Sequence, residues 1–263
     1  MIYWWLDQSL GGIIAVLMAV FFASALLIFL LSHHSPLSAP IKSCGGLVAP
    51  YFGSIGILFG LLTGFLAADI SDRNRQAVRA VQSESEALTS MHALSIASVS
   101  DMAEIRGKIR AYAQSVVADE WTPAGMTPSA KTEAALTALM QSVADPKIAT
   151  ESSNAVHSAL VNLSLRVAGA RTDRLALGID RSSELKWISV LFLCLMTQIA
   201  LAMVHLEKPR AQATALTLFT LAAVVALGLI AEQEAPFDGA LQISRAPIDS
   251  VLSLSPAPNN PNG

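Results

Sequence analysis

The sequence predicts an all-α, polytopic membrane protein with four transmembrane helices and an extended helical cytoplasmic stalk. Three observations carry this expectation. First, only 14% of the 263 residues are charged and 53% are hydrophobic, whereas a soluble domain carries about 25% charge. Second, the deficit is localised, because Leu10–Ser32, Leu47–Ala68, Trp187–Val204 and Ala211–Ala231 contain no Asp, Glu, Lys or Arg. Each window is 18 to 23 residues long, enough to cross about 30 Å of hydrocarbon as a helix. Third, the stretch between the second and third windows is rich in Ala, Ser, Glu, Arg and Leu, with little glycine and no strand-like alternation, a helical pattern. The balance of 17 basic against 20 acidic residues, with no dominant basic cluster, excludes a nucleic-acid binder.

The first window follows MIYWWLDQSL, which has no Lys or Arg, and its apolar run continues past Ala23-Ser24-Ala25. A signal peptide needs a basic start and a shorter apolar stretch, so Leu10–Ser32 is read as a retained span. Tyr3, Trp4 and Trp5 precede it, Tyr51 and Phe52 lie early in the second window, and Trp187 opens the third; all are expected at headgroup level. Four spans place the N-terminus, Asp69–Lys186 and the tail on one side. Arg73, Arg75, Arg79, Arg174, Arg181, Lys186 and Arg245 belong to that side, against Lys42, Lys208 and Arg210 on the other, so the larger side is read as cytoplasmic in a multi-pass cell-membrane protein. The expected divisions are an N-terminal transmembrane pair (1–68), a helical cytoplasmic region (69–186), a transmembrane hairpin (187–231) and a cytoplasmic tail (232–263) whose Pro/Asn-rich end from Ser253 is disordered.

Nothing interrupts the helical pattern at Ala68, so the second span is expected to run on into the stalk, with Asp69/Arg73 and Asp72/Arg75 as intrahelical pairs. Thr122-Pro123, Gly125 and Thr127-Pro128 mark a turn. Asp145-Pro146 reads as an N-cap followed by a first-turn proline, and periodicity from there to Trp187 predicts that the third span also extends inward. Ile70, Ala77, Val81, Leu88 and Met91 form an a/d-like stripe. Glu84 falls in that stripe, whereas Glu86 lies on the polar face with Arg79 and Ser90. An unpaired carboxylate in an apolar seam costs several kcal/mol. Glu84 is therefore either a structural partner of Arg171 or Arg174 on the returning helix, or an ion-facing or gating carboxylate.

Inside the spans, Gly56, Gly60 and Gly64 share one smooth helix face suited to close packing. Packing within the subunit is the first reading; contact between subunits and a pore lining are the others. Thr214, Thr217, Thr220 and Gln212 bring polar groups to the fourth span, where hydroxyls can bond back to their own helix. Gln198 in the third cannot face lipid without unmet hydrogen bonds, which makes it a pore candidate or a group facing protein. No ionisable Asp, Glu, Lys or Arg lies within a span, an argument against ion-coupled transport. A channel tolerates a neutral pore with charged mouths. Asp69, Asp72 and Arg73 beyond the second span, and Glu232, Glu234 and Asp238 beyond the fourth, are the candidate mouth residues. Their acidic balance favours cations.

No HExxH, GxSxG, Walker loop or dinucleotide fingerprint occurs, so no enzyme activity and no cofactor is expected. His33, His34, His92, His157 and His205 are scattered; His33-His34 and His205 share the smaller side but lack metal-ligand spacing. Cys44 in a loop and Cys194 in a span cannot build a disulfide framework, and Cys194 reads as a small packing residue.

Over essentially its whole length the chain resembles the bestrophin-like membrane proteins. The resemblance rests on Gly64-Phe65-Leu66 at the second-span exit, Ala77, Val81, Glu84 and Leu88 in register, and Tyr112 ahead of Glu120-Trp121. It continues with Arg171 and Arg174 before Trp187, and with Glu234-Ala235-Pro236-Phe237-Asp238-Gly239 after the last span. Met91-His92 and Glu234 depart from the family pattern without disturbing the architecture. Bestrophins are pentameric anion channels, so the resemblance implies a homo-oligomer, a pentamer by analogy, that conducts inorganic ions and contacts membrane lipid. It implies an anion preference, opposite to that of the acidic mouths. Fold analogy alone does not establish permeation. A non-conducting scaffold or sensor, whose stalk binds a cytoplasmic partner, is the alternative.

Overall fold

The structure, a computed structural model, describes residues 3–36, 38–43, 49–98, 101–122, 125–239 and 241–254. Cys44, Pro123 and the end of the tail from residue 255 lie outside them, as do the side chains of Tyr3, Lys42 and Tyr51. The elements in order are α1 (Tyr3–Leu6), α2 (Leu10–His33), α3 (Ser38–Ser43), α4 (Ala49–Ala97) and α5 (Ala103–Ser115). A π-helical turn, Val116–Glu120, and a two-stranded hairpin, β1 (Trp121–Thr122) and β2 (Gly125–Met126), follow. The chain continues through α6 (Ala130–Val143), α7 (Lys147–Glu151), α8 (Asn154–Ile179), α9 (Glu184–Val204), α10 (Pro209–Glu232) and α11 (Ala246–Leu252). Four helical segments are long and apolar enough to cross a membrane: α2, the N-terminal part of α4, the stretch containing α9, and α10. The chain is an all-helical polytopic membrane protein but for its short hairpin.

Two compact units divide it. One holds α1 to α3, α4 up to Asp72, and Arg181–Glu234 with residues 239–241. In it α2, α9 and α10 pack together through Leu17, Phe21, Trp187, Val190, Val224 and Leu227. Gly228 allows the close approach of α2 to α10, because a Cβ there would sit 3.1 Å from Cγ1 of Ile14. Outward positions such as Val20, Leu27, Phe192, Leu218 and Val225 are also apolar and exposed, so these helices are hydrophobic all round, as membrane spans are. At the end of α2, the His33 imidazole lies 2.7 Å from Gln212 Oε1, while Gln212 Nε2 donates to the Ala202 carbonyl. His205 sits against Leu201 of its own helix instead of joining His33.

The other unit comprises Arg73–Asp180, Ala235–Asp238 and the chain from Gln242. Its core gathers Ala77, Val81, Leu88 and Met91 of α4 with Ile109 and Tyr112 of α5, Leu139 of α6, and Leu160 and Val167 of α8. Helix α11 adds Ile248 and Val251 to this core, and Ser85 donates to the Pro247 carbonyl at 2.5 Å.

Helix α4 is uninterrupted from the span into the stripe that begins at Ile70, as the pattern through Ala68 requires. Three expectations need correction. The third span does not extend inward as one helix: α8 ends at Ile179, Asp180 is extended (φ −71°, ψ 142°), and α9 starts at Glu184. The run from Pro146 is also broken: α7 is only five residues long and its N-cap is Pro146, not Asp145, although the Asp145 carboxylate one residue earlier accepts from the Lys147 amide at 2.9 Å. Trp5 and Trp187 are not displayed to headgroups. They are buried against each other edge to face, with centroids 5.3 Å apart, while Trp4 is exposed.

Candidate functional site

The a/d spacing that makes α4 amphipathic carries Glu84 into the helix interface, where it is fully buried. On α8, Arg171 and Arg174 are three residues apart and so share a face; both point inward and are buried. Arg174 Nε donates to Glu84 Oε2 at 2.6 Å and its Nη2 to Glu84 Oε1 at 3.2 Å. The same Nη2 reaches Glu120 Oε2 at 2.8 Å, and Nη1 contacts the Met126 sulfur at 2.9 Å. Arg171 binds Glu120 Oε1 through Nε at 3.1 Å and Nη2 at 2.6 Å, and binds the exposed Glu133 through Nη1. Glu120 also accepts from the Ser129 amide at 3.4 Å. Tyr112 donates its hydroxyl to Glu84 Oε1 at 2.5 Å.

Two buried carboxylates and two buried guanidiniums cancel in charge. The oxygens of both carboxylates and all three nitrogens of the Arg174 guanidinium are used. Such a cluster is tolerable in low dielectric because every charge has a partner and a hydrogen bond. Burial opposes the charge of Arg174, but the carboxylates of Glu84 and Glu120 outweigh it and hold the guanidinium protonated more firmly than usual. Burial and the neighbouring Glu84 charge raise the Tyr112 phenol well above its ordinary value, against a lesser opposing pull from Arg174. The phenol therefore stays a donor.

Delivering Glu120 here requires the π turn at Val116–Glu120, since an added residue per turn rotates the following side chains out of α-helical register. The hairpin then sets Met126 over α8. A Cβ on Gly178 would lie 2.7 Å from Cβ of Met126, so only glycine lets β2 approach this closely. Chemically the arrangement is a clamp joining α4, α5, the π turn and α8; it holds no nucleophile, and no group of three His, Cys, Asp or Glu side chains is placed to bind a metal among the described residues.

The Tyr112 contact gives a pH-dependent expectation. The unfolded chain releases the phenol proton near pH 10, whereas the folded chain keeps it to higher pH. Above about pH 10 the folded state therefore binds more protons, and stability present below that pH is lost as pH rises. Melting followed by circular dichroism from pH 8 to 11.5 should show a steeper alkaline loss in the parent than in Tyr112→Phe. Equal slopes would refute the assignment.

In the membrane unit the predicted residues divide differently. Asp69 is bridged to Lys186 at 2.7 Å. Asp72 is exposed on the same helix. Arg73, in the second unit, donates to the Asp180 carbonyl. Gln198 is fully buried: its Oε1 accepts from Ser24 at 2.6 Å, and its Nε2 donates to the Phe21 carbonyl at 3.0 Å and to Thr220 at 2.8 Å. With both ends of its amide bonded within the chain, Gln198 is a group facing protein, the other reading offered for it, and not one with an amide left over for a pore. Glu234 is buried too, accepting from the Ser182 amide and from Trp187 Nε1 at 3.3 Å. It ties the start of α9 to the end of α10 and does not stand at a mouth. The glycine face is open. Among the described residues, a Cβ at Gly53, Gly56, Gly60 or Gly64 would meet nothing within 4 Å, so this face is not packed against any described part of the chain, unlike the first reading. Sequence reasoning missed Lys186, Ser24 and Met126 as partners; Glu120 and Tyr112 were visible only as family anchors.

The model of the Bestrophin-like domain matches residues 19–248. The chain belongs to the bestrophin-like family. Solved structures agree in fold. A variant of a bacterial Bestrophin homolog from Klebsiella pneumoniae, with a tryptophan changed to alanine, superposes with a TM-score of 0.74 at 12% identity, covering 94% of this chain and 96% of that one. A second variant of the bacterial Bestrophin homolog from that organism gives 0.70 at 14% identity, covering 89% and 96%. A structure described as a membrane protein variant gives 0.71 at 13% identity, covering 91% and 96%. No curated protein matches this bestrophin-like chain.

Proposed function

We propose that this bestrophin-like chain forms a homo-oligomeric ion channel in the cell membrane. In this reading residues 1–68 and 187–231 supply the spans, while the N-terminus, the helical region 69–186 and the tail from 232 are cytoplasmic. The carrying observation is the open face of α4 at Gly56, Gly60 and Gly64. Four spans from one copy do not enclose a pore, and a helix face without side chains leaves room for ions where copies meet around an axis. Anions are the permeant class that the family likeness favours. The charge at the span exits supports them, because Asp69 is neutralised by Lys186 and Glu234 is withdrawn into the protein, so neither adds to an acidic ring. Asp72 then remains an exposed acid at that end of α4, next to the engaged Arg73.

Recording purified protein in planar bilayers tests the reading. Discrete chloride currents are expected, with unitary conductance lowered by Gly60→Leu, which narrows the face, and unchanged by Leu218→Ile on an exposed apolar position of α10. Silence across salts, pH and calcium, or a strict monomer in mild detergent, would favour a scaffold that binds a cytoplasmic partner.

A further inference from the structure

Helices α4 and α8 flank a groove of about 680 Å³ lined by Gln76, Arg79, Ser83, Arg166 and Asp173, with Ala170 at its base. Arginines elsewhere in this unit are engaged: Arg106, Arg171, Arg174 and Arg245 pair with carboxylates, and Arg73 and Arg110 donate to carbonyls. Arg79 and Arg166 have no partner among the described residues, and Asp173 in the same groove pairs with neither. Two unspent guanidiniums, set on different helices above a small-residue base, form a recess with its donors turned to solvent.

We propose that this groove binds a phosphate-bearing anion through Arg79 and Arg166. A guanidinium presents a planar fork that matches phosphate oxygens bidentately, and Gln76 and Ser83 supply further donors. The volume exceeds that of a single phosphate, and the two arginines come from separate helices, so the fitting ligand carries separated phosphate oxygens. Asp173 weakens binding of any anion passing close to it. Phosphate chemistry of this kind comes from a free phosphate ester or from an anionic lipid headgroup. The site is independent of whether the protein conducts.

Full-length protein in detergent, titrated calorimetrically with pyrophosphate, tests the free source. Binding is expected to fall about tenfold or more in Arg79→Gln/Arg166→Gln, to tighten in Asp173→Asn, and to weaken with added salt. Lys147→Gln serves as a control for loss of positive charge elsewhere. Nanodiscs containing phosphatidylglycerol test the lipid source: they should raise the melting temperature above that in phosphatidylcholine discs, for the parent and not for the double variant. Either result supports the groove as the site and names its source. Binding that is unaltered by the double variant, or no response to pyrophosphate and none to the anionic lipid, overturns it.

Discussion

Arg174→Met is expected to destabilise the protein by about 3–5 kcal/mol, the cost of stranding a buried charge whose partner has been removed. The side chain is fully enclosed and donates to Glu84, Glu120 and Met126. Without it the buried cluster passes from neutral to a charge of −1. Glu120 still has Arg171, whereas among the described residues Glu84 keeps only the Tyr112 hydroxyl. The methionine fills much of the volume, so a lost cavity term cannot account for the effect. Removing the stranded charge should therefore restore stability. Arg174→Met/Glu84→Gln is expected to recover at least half the loss, because a neutral amide accepts from Tyr112 and leaves the remaining Arg171–Glu120 pair balanced. Arg166→Met on the exposed side of the same helix should stay within about 0.5 kcal/mol of the parent. Reversible denaturation followed by circular dichroism measures all three. A double variant no more stable than the single would show that charge balance is not what the cluster provides.

The Glu84–Arg174 pairing was half legible in the sequence. A carboxylate on an a/d stripe demands a cation, and Arg171 and Arg174 were the pair available on the returning helix; periodicity does not choose between them. Glu120 was not legible as their partner, because a π turn discards the 3.6-residue register from which faces are read. The break between α8 and α9 was hidden for a different reason. Asp180–Ser183 holds no apolar residue, but it holds no Gly or Pro either, so a short polar stretch reads as the solvent side of a continuing helix; in the structure the Ser182 amide inside the break donates to Glu234. Gly56, Gly60 and Gly64 announced a smooth face, yet smoothness says nothing about what lies against it. Composition and the charge-free windows fixed the class of the protein; contacts distant in sequence decided the roles of individual polar groups.

Trp187 illustrates that division and gives the second large effect. By position it looked interfacial, but its ring is buried at the start of α9, edge to face with Trp5, and its indole N–H serves the buried Glu234. Trp187→Ala is expected to cost about 3–5 kcal/mol through the cavity it opens, with the loss of a donor to Glu234 added. Trp187→Phe separates the two contributions. It retains an aromatic edge for Trp5 and much of the volume, but takes the indole donor away from Glu234, a loss of about 1.5–3 kcal/mol for a hydrogen bond to a charged acceptor. Adding Glu234→Gln to Trp187→Phe removes that charge and should return part of the difference, while adding it to Trp187→Ala should return little, because the cavity remains. Thermal melts in one detergent at fixed protein concentration distinguish these outcomes. If Trp187 instead served as a headgroup anchor, the alanine variant would lose stability mainly on transfer from detergent to lipid discs, and Glu234→Gln would be silent in every background.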